Sequence, residues 1–206
     1  MTSKASRLAI DAISRLAAAS LLSVFVWNVY QSYQNSRAFG VLLLLVGEAI
    51  TVVLVIIARA SDRVDRSPYA WAITNLATFY FLLLGLDGGN RLLPALITDG
   101  LQVAGISLQI FAKVYLGRSF GLLPADRGIV QTGPYRWVRH PIYFGYFLNH
   151  LGFLLSNATY WNLVLYIALY GLQILRMMRE ERILSTNPEY AQYMQRVRHR
   201  FIPFLV

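Results

Sequence analysis

The sequence predicts an all-α polytopic membrane protein of about six transmembrane helices, folded as one domain over residues 1–206. Three observations carry this. Hydrophobic residues make up 56% of the chain and charged residues 14%, against roughly 25% charged in a soluble domain. The missing charge is absent from several apolar runs, near the ~20 residues a helix needs to cross a bilayer. The basic residues are also lopsided. With the N-terminus in the cytoplasm, every Lys and Arg among the 19 falls on the inner side except Arg37 and Arg91, which orients both termini inward. The net charge of +9 therefore reads as topology plus anionic headgroups, and nucleic-acid binding is set aside. The chain has no cysteine, which excludes disulfides, thiolate metal sites and a cysteine nucleophile.

The spans are expected near residues 16–34, 39–58, 69–86, 100–116, 141–155 and 160–178. The N-terminal MTSKASRLAIDAISRLAAAS has a basic start and small residues like a signal peptide, and is expected to be retained as an amphipathic lead-in. QNSRAFG is a short loop, which makes the first two helices antiparallel neighbours. The second span holds Glu48 near its middle, either protonated and hydrogen-bonded to a neighbouring helix or lining a substrate path. Ser67-Pro68 signals the start of the third helix. A turn is expected at Gly88-Gly89, after which LLPALITDG re-enters the interface before Gly100.

After Leu116 the composition changes. LGRSFGLLPADRGIVQTGPYR mixes glycines, prolines and arginines, too polar to span and too rich in breakers to be one helix. Such a long connection is usually functional, and backbone of this kind near a bilayer needs protein or a ligand to satisfy it. Pro141 then suits a helix first turn, with the helix's free N–H groups and positive dipole end beside the loop. Ser156-Asn157 turns the chain. WNLVLYIALYGLQILRMMREERILS runs on without a breaker and is expected to leave the membrane as one continuous helix. Asn187-Pro188 stops it, and PEYAQYMQRVRHRF forms a last short amphipathic helix.

The dense polar signal lies after Leu116: the loop, Arg139-His140-Pro141-Ile142-Tyr143, the Arg176–Arg182 cluster, Tyr190 and Tyr193. By this topology all of it reaches one cytoplasmic surface. Arg176 and Glu180 share a helix face, as a salt bridge or as a guanidinium and a carboxylate facing a zwitterionic ligand. Tyr190 and Tyr193 share a face, as interfacial anchors or as stacking surfaces for a ligand. Gln109 and Lys113 could face the same pocket, although Lys113 could equally snorkel. His150 suits a helix-packing hydrogen bond. The histidines have no metal-ligand spacing.

GPYRWVRHPIYFGY, RMMREERIL and PEYAQYMQRVRHRFIPF together resemble the isoprenylcysteine carboxyl methyltransferase family, part of a wider group of integral-membrane methyltransferases that includes phospholipid N-methyltransferases. The likeness covers residues 113–206, the methyltransferase-like catalytic region, and residues 1–112 form N-terminal helices. The resemblance implies S-adenosylmethionine bound in a cytoplasmic pocket and a lipid-like substrate entering from the bilayer. It assigns Arg127, Gly128, Ile129 and Val130 to the cofactor loop, together with Tyr135, His140, Pro141, Ile142, Tyr143, Tyr190 and Tyr193. It gives Arg176 and Glu180 catalytic roles, with Glu180 or Glu181 on the cofactor. The segment after the Glu pair is shorter than in eukaryotic members and lacks their Phe-Gly. Arg127 replaces their aromatic and histidine, so adenine contacts there would be mainly backbone. No metal is implied. Rival readings are a membrane NADPH-dependent reductase of sterol-reductase-like architecture and a non-catalytic lipid-binding protein.

Overall fold

The computed structural model describes residues 4–36, 39–61, 63–85 and 88–202. The helices are α1 (Lys4–Ser36), α2 (Phe39–Ile57), α3 (Pro68–Phe79), α4 (Ala95–Leu116), α5 (Pro141–Ser156), α6 (Tyr160–Leu184) and α7 (Pro188–Arg196). Short 3-10 turns at Tyr80–Leu83, Gly117–Ser119 and Gly133–Arg136 complete the regular structure. Among the described residues there are two isolated bridges and no strand. Arg37 and Ala38, in the expected first loop, lie outside the described residues.

Local chemistry explains the helix starts. Ser67 accepts from the Ala70 N–H at 3.1 Å, with Pro68 at the first position of α3. Thr159 accepts from Asn162 N–H at 3.0 Å at the head of α6, and Asn187 from Glu189 N–H at 3.0 Å at the head of α7. These are side-chain caps of the usual polar type.

Two expectations are corrected. The third span stops being α-helical at Phe79 and continues only as a 3-10 turn. The fourth helix begins at Ala95, not at Gly100, so LLPALITDG is largely its first turns. Asp99-Gly100 reads as a turn signal, but Thr98 is fully buried and the Asp99 carboxylate sits 3.7 Å from Arg91. Tertiary contacts there override the breaker.

The packing centres on α5, none of whose residues is exposed. It is pressed against α4 through glycines. A Cβ added at Gly105 would lie 2.6 Å from the Gly145 carbonyl oxygen, and one at Gly152 would lie 2.6 Å from the Thr98 carbonyl oxygen. Small residues let helix backbones approach this closely. Helix α2 packs on α1 and α4, and α3 packs on α6. The outer faces expose Leu16, Val24, Val53, Leu76, Phe111, Ile167 and Ile174. So much exposed apolar surface suits lipid contact. Two helical segments, Ala95–Ser119 and Tyr160–Leu184, are long and apolar enough to cross a membrane, and Leu42–Ile57 is a shorter apolar helix.

Candidate active site: one cavity from the breaker-rich loop to the apolar helices

The segment between α4 and α5 is fixed on two sides. Asp65 N–H donates to the Pro124 carbonyl at 2.9 Å and Asp126 N–H to the Arg63 carbonyl at 3.1 Å, which ties it to the α2–α3 connection. Gln131 donates to Glu189 at 2.9 Å and accepts from Arg196, which ties it to α7. Gly128 takes φ +98°, a backbone conformation that side chains disfavour. Loop backbone that would be unsatisfied near a bilayer is in this way paired with protein.

Beneath this loop lies a cavity of about 420 Å³, within the ~300–1,000 Å³ range of small-molecule sites. Of the residues singled out in the sequence, Arg127, Gly128, Ile129 and Val130 line it from the loop. Tyr135, His140, Ile142 and Tyr143 line it from the α5 entry, and Arg176, Glu180, Tyr190 and Tyr193 from α6 and α7. Pro141 and Glu181 do not.

Glu181 is committed elsewhere. Its Oε1 accepts from Arg139 Nε at 2.8 Å and lies 3.3 Å from His140 Nε2, and its Oε2 accepts from Arg200 Nε at 3.2 Å. The backbone strengthens this hub. Arg139 N–H donates to the His199 carbonyl at 3.0 Å and His140 N–H to the Arg200 carbonyl at 2.7 Å. Glu180, one residue earlier, turns about 100° around the helix and meets the cavity instead. Adjacent carboxylates thus have separate surroundings.

Further details depart from expectation. Among the described ion pairs none joins Arg176 to Glu180. Arg176 Nη2 donates to the Leu122 carbonyl of the loop, and the guanidinium lies 6.0 Å from the Tyr143 ring centre. Tyr143 and Phe144 N–H groups both return to the His140 carbonyl, at 3.1 and 3.3 Å, so the start of α5 satisfies part of its own amide array. Arg127 is buried and donates to the Leu123 carbonyl at 3.1 Å. Lys113 does not snorkel. It is 1% exposed, donates to Thr51 Oγ1 at 2.8 Å and sits 3.9 Å from Glu48 Oε1. Gln109, one turn earlier, does line the cavity.

Three tyrosines at the loop end stay protonated. Burial pushes the hydroxyls of Tyr135, Tyr190 and Tyr193 up from their ordinary values, leaving them hydrogen-bond donors. Tyr193 donates to the Tyr135 carbonyl at 2.7 Å and Tyr135 to the Ala112 carbonyl at 3.3 Å, which fixes the turn before α5. The Tyr190 hydroxyl is buried and lacks a partner among the described residues.

Sequence reasoning missed the inner half of the cavity. Along α5, His140, Tyr143, Tyr146 and His150 form a ladder of rings with successive centres 5.6, 6.5 and 5.8 Å apart. Phe153 continues it, so this wall is ~20 Å long at 1.5 Å rise per residue. His150, expected to make a packing hydrogen bond, makes two, to Tyr80 Oη at 2.6 Å and Tyr170 Oη at 2.9 Å. Its ring also stacks on Tyr166 at 4.9 Å. The period of this stripe on α5 was readable. The partners Tyr80 and Tyr166 lie in other elements and carried no signal of their own.

The polar loop end, the apolar inner end and the membrane-type exterior bring the chain to a class. Residues 96–192 match the family model described as phospholipid methyltransferase. The particular structural likeness is to the eukaryotic intramembrane Ras methyltransferase ICMT (isoprenylcysteine carboxyl methyltransferase). It has a TM-score of 0.50 at 18% identity and covers 98% of this chain and 87% of that one. No curated protein sequence matches the chain. The protein therefore has the fold of an intramembrane methyltransferase and the apolar helices of a membrane protein.

Proposed function

We propose that this protein transfers a methyl group from S-adenosylmethionine to a membrane-embedded or hydrophobic acceptor. In this reading about six helices cross the bilayer, and both termini and the loop end of the cavity face the cytoplasm. The observation that carries it is the single cavity joining Tyr135, His140, Tyr143 and Glu180 at one end to Tyr80, Phe81, Phe153 and Tyr166 at the other. A water-soluble donor and a lipid acceptor need such a two-ended chamber to meet.

The residues at the loop end fit the cofactor by their chemistry. Glu180 offers a carboxylate to an ammonium group, the Tyr190 hydroxyl, without a partner among the described residues, offers a donor, and Tyr135, His140 and Tyr143 offer ring faces to a cation or a base. Gly128 lets the backbone of the Arg127–Val130 segment form one wall. When bound, the cofactor supplies an electrophilic methyl on a sulfonium centre. The protein's part is alignment and exclusion of water, which can supply on the order of 7–11 kcal/mol. Arg176, on the same wall as Glu180 and tied to the loop at Leu122, orients the acceptor. Glu181 holds His140 and the residues after α7 in place and acts through them.

Isothermal calorimetry of the purified protein with S-adenosylhomocysteine and with NADPH tests the reading. Binding of the first and not the second is expected. NADPH binding alone would replace methyl transfer with reduction, and binding of neither would leave a lipid-binding protein.

A further inference from the structure

The cavity carries a second carboxylate that the cofactor end does not use. Glu48, near the middle of α2, lines it, with 14% of its side chain exposed. Lys113 stands behind, off the cavity wall and 1% exposed, with Nζ 3.9 Å from Glu48 Oε1. The ammonium spends a hydrogen bond on Thr51 Oγ1 at 2.8 Å, and Thr51 in turn donates to the Gly47 carbonyl at 2.8 Å. A carboxylate among apolar helices needs a countercharge, and Lys113 supplies one from the rear. The front of the carboxylate faces the cavity.

Two more groups at this cavity lack partners. Gln109 is 5% exposed and Gln173 is 4% exposed, and both line the cavity. Gln109 Nε2 and Gln173 Oε1 are buried without hydrogen-bond partners among the described residues. Buried polar atoms of this kind point to a missing ligand or water. Their position follows from the ladder on α5. Lys113 Nζ lies 5.7 Å from the centre of the Tyr146 ring, so the Glu48–Lys113 pair sits near Tyr146, about one helical turn along α5 from Tyr143. That is between the Glu180 end and the apolar end, where the head of a lipid acceptor would stop.

We propose that Glu48, with Gln109 and Gln173, forms a headgroup station that selects an acceptor lipid bearing an amine. The bound ammonium passes one proton to the Glu48 carboxylate. The freed nitrogen lone pair then bonds the methyl as the donor's methyl–sulfur bond breaks, and the sulfur leaves as a neutral thioether. This rests on the methyl-transfer reading and adds the acceptor's charge to it. The Glu48 carboxylate and the Gln173 carbonyl accept N–H donors, and the Gln109 amide donates to an oxygen of the same head. An anionic acceptor meets the Glu48 carboxylate ahead of Lys113, which stands off the cavity wall, so the nearer charge disfavours it.

The test compares the wild type and Glu48→Gln on two acceptors. One is dioleoyl phosphatidylethanolamine in phosphatidylcholine vesicles, and the other is a prenylated N-acetylcysteine, which is a carboxylate. S-adenosylhomocysteine affinity is measured alongside as the readout of fold and cofactor end. The expected result is a wild type that prefers the amine lipid. In Glu48→Gln, kcat/KM for that lipid should fall at least about tenfold, mostly through KM, with S-adenosylhomocysteine affinity unchanged. Wild-type preference for the carboxylate, or an unchanged kcat/KM for the amine in Glu48→Gln, overturns the station. Wild-type protein that binds no S-adenosylhomocysteine overturns the methyl-transfer reading instead. Should Glu48→Gln itself lose S-adenosylhomocysteine binding through misfolding, Gln109→Leu takes its place on the same two acceptors. A fall in its kcat/KM for the amine lipid supports the station, and an unchanged value overturns it.

Discussion

Glu180 and Glu181 are neighbours in sequence and opposites in situation. One lines the cavity. The other is enclosed by Arg139, His140 and Arg200. The same contrast holds between the two halves of the chain. The region after Leu116 spends its charges on hubs that hold loops to helices, while the helices before it contribute isolated polar groups to the cavity wall. A motif therefore mixes residues that touch a ligand with residues that hold those in place, and spacing alone does not separate the two.

Substitutions can break or sharpen this distinction. The largest effect is expected from Glu180→Gln, a loss of methyl transfer on the order of 10²-fold or more with an unchanged thermal midpoint. Activity assay and thermal unfolding read the two quantities, and wild-type turnover would remove Glu180 from the site. Glu181→Gln should reverse the pattern. Breaking a buried charge hub costs about 3 kcal/mol, so the midpoint should fall clearly. Activity should fall only as far as His140 is displaced, with Glu181→Asp recovering part of both. Gly105→Ala probes the helix pair without touching charge. The added carbon would lie 2.5 Å from the Asn149 amide nitrogen, and such overpacking costs about 1–3 kcal/mol, read by unfolding in detergent.

The smallest effect concerns pH. Burial alone would raise the Asp65 carboxyl, but the Ser67 hydrogen bonds and Arg179, at 2.7 Å, outweigh it and hold it below the ordinary value. A carboxyl lowered in the folded state stabilises above its unfolded titration and loses that contribution as pH falls through its folded one. Asp65→Asn should thus be less stable than wild type by up to about 1 kcal/mol at neutral pH. The two proteins should converge in strongly acidic buffer. A difference independent of pH would assign the effect to packing.

Much of this architecture was readable from the chain because its signals are local. Ser67-Pro68, Pro141 and Asn187-Pro188 mark helix starts with side-chain caps or fixed φ, and the long charge-tailed run became the single helix α6. The loop residues and the His140–Tyr143 run were marked by breakers and by charge placed at a helix mouth. What escaped was set by partners distant in sequence. Lys113 looked like a snorkelling residue because its partners Glu48 and Thr51 lie on another helix. Gly100 looked like a boundary because the burial of Thr98 is a tertiary fact. Whether Glu180 or Glu181 reaches the cavity depends on helix phase relative to α5, which no spacing within α6 reveals.

The pairing of Glu48 with Lys113 also bears on biogenesis. Under the proposed topology, α2 reaches the translocon before α4 has been synthesised, so Glu48 arrives there without its lysine. An acidic side chain at mid-helix opposes insertion by roughly 2.5–3.5 kcal/mol, while each Leu, Ile, Val or Phe favours it by about 0.3–0.6 kcal/mol. The dense aliphatic run of α2, FGVLLLLVGEAITVVLVII, is long enough to offset that opposition unaided. The bare acid can then wait within the lipid until the later helix delivers its cation, and the two segments find register by that attraction.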